Sequence, residues 1–329
     1  MRDGVVARPP DHRVSAIICA FTLDRWDDLC AAIGSLQTQT RRPDEIILVV
    51  DHNETLLARA VEQGWEGVLV VPNRQAQGLS GGRNTGIAVS SGDLLAFLDD
   101  DAVAGSEWIE NLVRYAAEPV VLGCASIINP IWLAARPRWF PDEFLWTVGC
   151  SYRGLPTVAT PVRNVFGGAM MIRRAVFDAV GDFHKALGRS GGSLASCEET
   201  EICLRASAAF PQGRFMMVPT AKVGHKVPGT RLTWGYFRRR CVAEGRSKAY
   251  LAKLVQRRGT LNTERDYVLR TLIKGVLRGL ADTALGFDPY GVTRAAAIIF
   301  GLCAACYGYA LGCMGLPRAA NNVVVPQRL

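Results

Sequence analysis

Residues 94–101 read LLAFLDDD, five apolar side chains followed by three carboxylates. An apolar run this short reads as a buried strand, and the abrupt switch to aspartate marks where the chain leaves the core. Three upstream runs have the same form: VSAIICA at 14–20, EIILVV at 45–50 and GVLVV at 67–71. Helical patterns follow them. Trp26, Leu29, Cys30, Ile33 and Leu36 repeat at helical spacing after the first run, and Trp108, Ile109, Leu112 and Val113 do so after LLAFL. Strand, helix, strand at this pitch requires parallel pairing with right-handed crossovers, hence an α/β, doubly wound sheet. Ligands of such sheets sit beyond the carboxyl ends of the strands.

The chain has 329 residues, 49% of them apolar, enough for one α/β core plus a second region. Its formal charge of +8 suits an anionic partner without choosing among nucleotide, phospholipid and nucleic acid. The basic residues gather toward an apolar tail instead of interleaving with aromatics on a sheet face, which argues against nucleic acid. Ten cysteines lie mostly inside apolar runs without paired spacing, as reduced cytosolic thiols do, and Cys303 and Cys306 form a C-x-x-C with no second half. Residues 1–13 mix charges and prolines, the pattern of a disordered start and not of a signal peptide.

Asp99, Asp100 and Asp101 follow a buried strand at its ligand edge, where hard oxygen ligands suit Mn²⁺ or Mg²⁺. Such a cation would bridge the two phosphates of a nucleotide sugar; the plainer reading is a solvated turn into the next helix. Asp51 ends the second run in the same way, fitting a nucleobase contact, and Phe21, Thr22 and Asp24 follow the first. The segment GLSGGRNTGI at 78–87 lacks the lysine of a P-loop, and no Walker A motif precedes it, so it is neither a P-loop nor an ABC signature. A glycine-rich helix start with Arg83 and Asn84 can still contact a nucleotide or sugar. CEETEICLRA at 197–206 puts Glu198, Glu199 and Glu201 in a first helical turn, either as dipole partners or as a base for an acceptor hydroxyl. His225, in KVGHKVP, is one of four histidines.

In this order, GLSGGRNTGI, SGDLLAFLDDD, NVFGGAMMIRRAVFDAVGDF, CEETEICLRA and His225 resemble glycosyltransferase family 2, inverting enzymes of the GT-A fold, over residues 14–245. The resemblance implies Asp99 and Asp100 on the nucleoside side of the donor, Asp101 and His225 at the metal, and Arg83 and Asn84 as the family's Arg-Asn pair. It also implies Gly167 and Gly168 lining the sugar and acceptor, with Arg238 and Arg240 toward the phosphates. The family's Glu-Asp motif here reads Glu198-Glu199, with Glu199 as base and Glu198 second. The resemblance is closest to members acting on lipid-linked saccharides, implying a nucleotide-sugar donor, UDP-linked, and a glycan or lipid-linked saccharide acceptor. Rival readings are transfer to a polyprenyl phosphate, which needs no base, and a non-catalytic nucleotide-sugar-binding protein.

The expected layout is a nucleotide-sugar-binding half at 14–125, an acceptor-binding half at 126–230 with an aromatic loop at 130–165, C-terminal helices at 231–316 and a tail at 317–329. Val268, Leu269, Leu272, Ile273, Val276, Leu277 and Leu280 form one predicted helix face, and Arg270, Lys274 and Arg278 another, as in an interfacial helix. Residues 295–315 are uncharged and long enough to span a bilayer. These features predict a cytoplasmic protein attached peripherally or monotopically to the inner face of the plasma membrane.

Overall fold

A computed structural model describes residues 12–191, 193–255 and 262–315; most of the expected disordered start, residues 1–11, and the 317–329 tail lie outside the described residues. The four apolar runs are strands β1 (Val14–Ala20), β2 (Glu45–Val50), β3 (Val68–Pro72) and β4 (Leu94–Asp99). They pair in parallel in the order β3-β2-β1-β4. Helices α1 (Trp26–Gln37), α2 (Glu54–Gln63) and α3 (Leu79–Val89) make the crossovers. Local chemistry sets their ends: the Asn53 side chain accepts the Leu56 N–H at 2.9 Å to start α2, and Gly64 ends it in the left-handed region at φ 62°.

Side chains alternate between two cores, one on each sheet face. Ala16, Ile18, Leu48 and Leu98 pack with α1 and with α4 (Trp108–Ala116). Ile17, Ile47, Leu95 and Phe97 pack with α5 (Arg174–Val180) and α6 (Glu198–Ala209). Because both faces are covered, β1 and β2 read as continuous apolar runs.

Past β4 the pairing changes. β8 (Ala169–Arg173) runs antiparallel to β4 and to β6 (Val121–Trp132), and β9 (Arg214–Val227) runs parallel to β6. The short strands β5 (Ala102–Ala104) and β7 (Thr160–Val162) each pair antiparallel with β9. One sheet therefore runs through both halves of the chain, and β6 crosses residue 125.

The aromatic loop belongs to the core. Phe140 and Phe144 are fully buried with their rings 5.7 and 5.3 Å from Phe237 on α7 (Trp234–Val255). Burying each is worth about 1.5–3 kcal/mol. α7 packs against α10 (Gly291–Cys313) at small residues: a Cβ on Gly308 would lie 2.1 Å from the Val242 carbonyl oxygen, and one on Gly245 2.0 Å from that of Ala305. Between them in sequence, the short α8 (Asn262–Asp266) leads through a π-helical turn at Tyr267–Leu272 into α9 (Ile273–Ala284). The predicted single apolar face over 268–280 is split. Leu272 is buried and Val268 and Val276 pack on the core, whereas Leu269, Ile273, Leu277 and Leu280 face outward.

Candidate active site

Register alone brings the acidic triplet its partners. Because β8 is antiparallel to β4, Leu98 pairs with Ala169 and the Asp99 N–H donates to the Gly168 carbonyl at 3.1 Å, so Gly167 and Gly168 lie beside the carboxyl end of β4. A Cβ on Gly168 would come 3.2 Å from Asp99 Oδ2, so a larger residue would crowd that carboxylate. Because β5 is antiparallel to β9, Ala102 faces His225, and the Lys226 N–H donates to the Asp101 carbonyl at 2.9 Å. Residues 125 positions apart thereby meet.

Asp99, Asp101 and His225 each offer a ligand atom within 4.8 Å of the others. His225 Nε2 lies 3.1 Å from Asp101 Oδ1, while Arg25 and Arg231 approach Asp101 Oδ2 at 3.1 and 3.4 Å. The two oxygens thus divide their work: one faces the imidazole and the other is held by arginines. Two carboxylates and an imidazole fit a first-row divalent ion such as Mn²⁺, with the arginines orienting the ligand from behind. Burial alone would raise the Asp101 proton affinity, but His225, Arg25 and Arg231 outweigh it and hold the carboxyl far below the usual range. Asp100 is pushed up to about 7 by burial and by the flanking aspartates, against the pull of Arg25 at 2.7 Å.

Arg83 links this cluster to the acidic motif. From α3 it donates to Glu198 Oε1 at 2.9 Å and to the Gly167 carbonyl at 2.6 Å, and it lies 3.6 Å from Asp99 Oδ1. Burial opposes its charge, and the Glu198 and Asp99 carboxylates more than offset this, so its proton is held more tightly than usual. Glu198 and Glu199 open α6 just after Cys197, which adopts a left-handed φ of 79°. That strained conformation is held by Glu244, which accepts from Ser196 Oγ at 2.7 Å and faces Cys197 Sγ at 3.7 Å. Glu199 makes no ion pair among the described residues; burial first, and then the Glu198 charge, push it up to about 8. Glu201 is turned away, bridged to Arg205 at 2.7 Å.

Other expected residues stand apart from this centre. Asp51 is at the end of β2, where its carboxylate accepts from Asn73 at 2.6 Å, faces His52 Nδ1 at 2.9 Å, and accepts the Gly78 N–H at 2.9 Å, anchoring the loop that starts α3. Thr22 accepts the Asp24 N–H at 3.2 Å at the end of β1. Asn84, expected beside Arg83 on the donor, is fully buried with its amide spent on the Phe183 backbone at 3.0 Å in both directions. One residue along a helix turns a side chain by about 100°, so Arg83 alone of that pair faces the site. Arg238 is exposed on α7, and Arg240 is buried against Glu244 at 3.0 Å.

Sequence reading missed Arg25, Arg231 and Arg189. Arg25 follows the first strand and had no motif to mark it; Arg231 trails His225 by six positions. Arg231 Nη1 and Arg240 Nε are buried without hydrogen-bond partners among the described residues. The Arg189 proton affinity is lowered by burial and by Arg231 and Arg240, against the pull of Tyr236 and Asp99. Arg231 and Arg240 are ion-paired to Asp101 and Glu244, so what each leaves open is a hydrogen-bond donor and not an unbalanced charge.

A glycosyl transferase family 2 model matches residues 15–181. A glucosyl-dolichyl phosphate glucuronosyltransferase from Haloferax volcanii is 32% identical over 231 residues, 69% of this chain and 74% of that protein. Among solved structures, a mannosyltransferase from Pyrobaculum calidifontis in complex with GDP-mannose and Mn²⁺ superposes with a TM-score of 0.56, covering 91% of this chain and 89% of the other at 15% identity. GalNAc-T7, crystallised with UDP, GalNAc and Mn²⁺, gives a TM-score of 0.50 at 22% identity over 65% of this chain, which spans only 43% of that longer one. The strand order, the acidic triplet at the β4 edge and these likenesses agree: the chain belongs to glycosyl transferase family 2 and is a glycosyltransferase of the GT-A fold.

Proposed function

We propose that the chain transfers a sugar from a UDP-linked donor to a hydroxyl of a lipid-linked saccharide, with inversion at the anomeric carbon. The observation that carries this reading is Arg83, which ties Asp99 at the metal cluster to Glu198 in the acidic motif and so fixes the donor and acceptor sides relative to each other. Asp99, Asp101 and His225 would hold Mn²⁺, or Mg²⁺ as the all-oxygen-preferring alternative. The bound cation would supply charge stabilisation to the departing diphosphate. Asp51, Thr22 and Asp100 would contact the nucleoside, and Gly167 and Gly168, which put no side chain beside Arg83 and Asp99, would leave room for the sugar.

Glu199 takes the acceptor proton. Its raised proton affinity makes it a stronger base than an ordinary carboxylate once ionised, and Glu198, fixed by Arg83, holds the start of α6 in place. The acceptor oxygen then attacks the anomeric carbon as the bond to the diphosphate breaks. Arg231 Nη1 and Arg240 Nε, buried without hydrogen-bond partners among the described residues, and Arg189, close enough to Asp99 to feel its charge, favour a donor sugar that itself carries a carboxylate. The name of the Haloferax relative, a glucosyl-dolichyl phosphate glucuronosyltransferase, supports both the uronate donor and the lipid-linked acceptor. Such an acceptor would be met at the cytoplasmic face of a membrane.

Incubation with Mn²⁺ or Mg²⁺, a lipid-linked saccharide and a panel of nucleotide sugars tests this reading through release of nucleoside diphosphate. Acceptor-dependent release from a UDP-sugar is expected. No release from any donor with lipid acceptor present would refute transfer by this site.

A further inference from the structure

The outward residues of the C-terminal hairpin form a second, independent surface. More than half of the exposed large apolar side chains among the described residues fall between positions 269 and 314. On α9 and the turn before it they are Leu269, Ile273, Leu277 and Leu280, one line at helical spacing. On α10 they are Val292, Ile299, Phe300 and Tyr307, with Met314 at its C-cap; Val292, Ile299, Tyr307 and Met314 form one line, with the small exposed residues Ala296, Cys303 and Ala310 filling its gaps, and Phe300 at its margin stands against the Trp234 ring. The connection between the helices adds Leu285 and Phe287, the latter 77% exposed.

The two helices pack antiparallel, with Gly279 against Gly291 and Ala295, and Gly275 against Ile298. At about 100° per residue, the exposed line on each helix lies roughly 120° from its contact line, in the same rotational sense along its own chain. Because the helices run in opposite directions, that shared sense puts both lines on the same side of the pair. Arg270 and Lys274 lie roughly 100° around α9 from its apolar line and make no ion pair among the described residues. Apolar residues on one face with unpaired cations at its margin is the arrangement of a helix lying in a lipid interface.

α10 is the one described helix long and apolar enough to cross a membrane. Its packing opposes a crossing. α7 runs beside it in the same direction along most of its length, from Phe237 at Gly301 through Val242 at Gly308 to Ala249 at Gly312. Lys253 on α7 donates to the Gly312 and Cys313 carbonyls at 2.9 Å, closing the end of α10. A spanning α10 would carry α7 into the hydrocarbon with it, including exposed Arg238 and Arg239 and the ion-paired Glu244 and Lys248.

We propose that this hairpin face docks on an anionic bilayer surface with α10 lying in the plane of the membrane. This deepens the functional reading by naming the surface on which a lipid-linked acceptor would be met, and it does not depend on turnover. The test is flotation of the full chain with vesicles of phosphatidylcholine alone or mixed with phosphatidylglycerol. Binding to the mixed vesicles is expected to exceed binding to the neutral ones and to weaken with salt. It should fall at least about tenfold in the Leu277→Asp/Ile299→Asp variant and in the Arg270→Gln/Lys274→Gln variant. Spin labels at positions 292, 303 and 314 should report one shallow depth. A graded depth along α10 would mean a spanning helix and overturn the proposal, as would failure to bind either vesicle. A dimer in solution dispersed by Leu277→Asp/Ile299→Asp, with no vesicle binding, would assign the face to a second copy instead. Donor hydrolysis by the same preparations shows the site is intact, so failure here stays distinguishable from failure of the transferase reading.

Discussion

Arg83 and Glu198, 115 positions apart in sequence, meet at 2.9 Å with both side chains almost wholly buried. The pair ties α3 to the first turn of α6. Removing one partner leaves the other charge without compensation in a low-dielectric setting, which costs about 3–5 kcal/mol. Arg83→Gln is therefore expected to lower unfolding free energy by about that amount in urea titrations, and Arg83→Gln/Glu198→Gln to recover much of it. Equal stability of Arg83→Gln and the parent would mean the contact is not formed.

As the proposed base, Glu199 sets the pH dependence expected of transfer. Pushed up to about 8, it is mostly protonated at neutral pH, so kcat/KM is expected to rise with pH and level off above about 8. The stability effect has the opposite sign. The folded state holds this proton more tightly than the unfolded state does, so raising the pH from the ordinary carboxylate range through 8 destabilises the fold. Glu199→Gln should thus melt higher than the parent at pH 9 while losing the rise in rate.

Metal affinity should depend on residues that only the sheet register brings together. His225→Ala and Asp101→Asn are each expected to weaken Mn²⁺ binding at least about tenfold, read by Mn²⁺ electron paramagnetic resonance without donor. Arg238→Gln, on the exposed side of α7, should leave it unchanged.

Glu244 acts at a distance from the chemistry. It sits among Ser196, Arg240 and Lys248, and Lys248 in turn reaches Glu264 at 2.8 Å. Burial alone would raise Glu244, but Lys248 and Arg240 outweigh it and hold it at about 2, so its contribution is present above the ordinary carboxylate range and lost as pH falls toward 2. Glu244→Gln is expected to release Cys197 from its strained conformation and lower kcat by about 10- to 100-fold, with Mn²⁺ affinity retained. An unchanged kcat would remove Glu244 as a positioning residue.

Arg189 tests the donor sugar. Arg189→Gln is expected to reduce the preference for a UDP-uronate over the corresponding UDP-hexose by about 10- to 100-fold, the worth of one charge-assisted hydrogen bond. An equal loss on both donors would assign the arginine to the diphosphate.

How much was legible before the fold was known follows from the range of the interactions. β1, β2 and β4 were readable because each is buried on both faces and carries its signal within a few residues. The Asp99–Asp101 triplet was readable as a strand end, and its company was partly named through Arg83, the glutamates and His225. Arg25 and Arg231 were not, because their meaning lies in contacts with Asp100 and Asp101 made across 75 and 130 positions. Asn84 was misdirected for a simpler reason: adjacency in sequence to Arg83 says nothing of which way a helical side chain points. The stripe at 268–280 was seen as one face because the sequence shows periodicity and not what packs against it; α10 takes one edge and leaves the other to solvent.

The most direct measurement is proton NMR of the anomeric centre in the product formed from the donor that turns over, run in parallel on the parent and on Glu199→Gln. Inverted configuration is expected, with the rate of the variant lower by about 100- to 10,000-fold. Retained configuration, or a Glu199→Gln enzyme that transfers as fast as the parent, would contradict a single displacement in which Glu199 takes the acceptor proton.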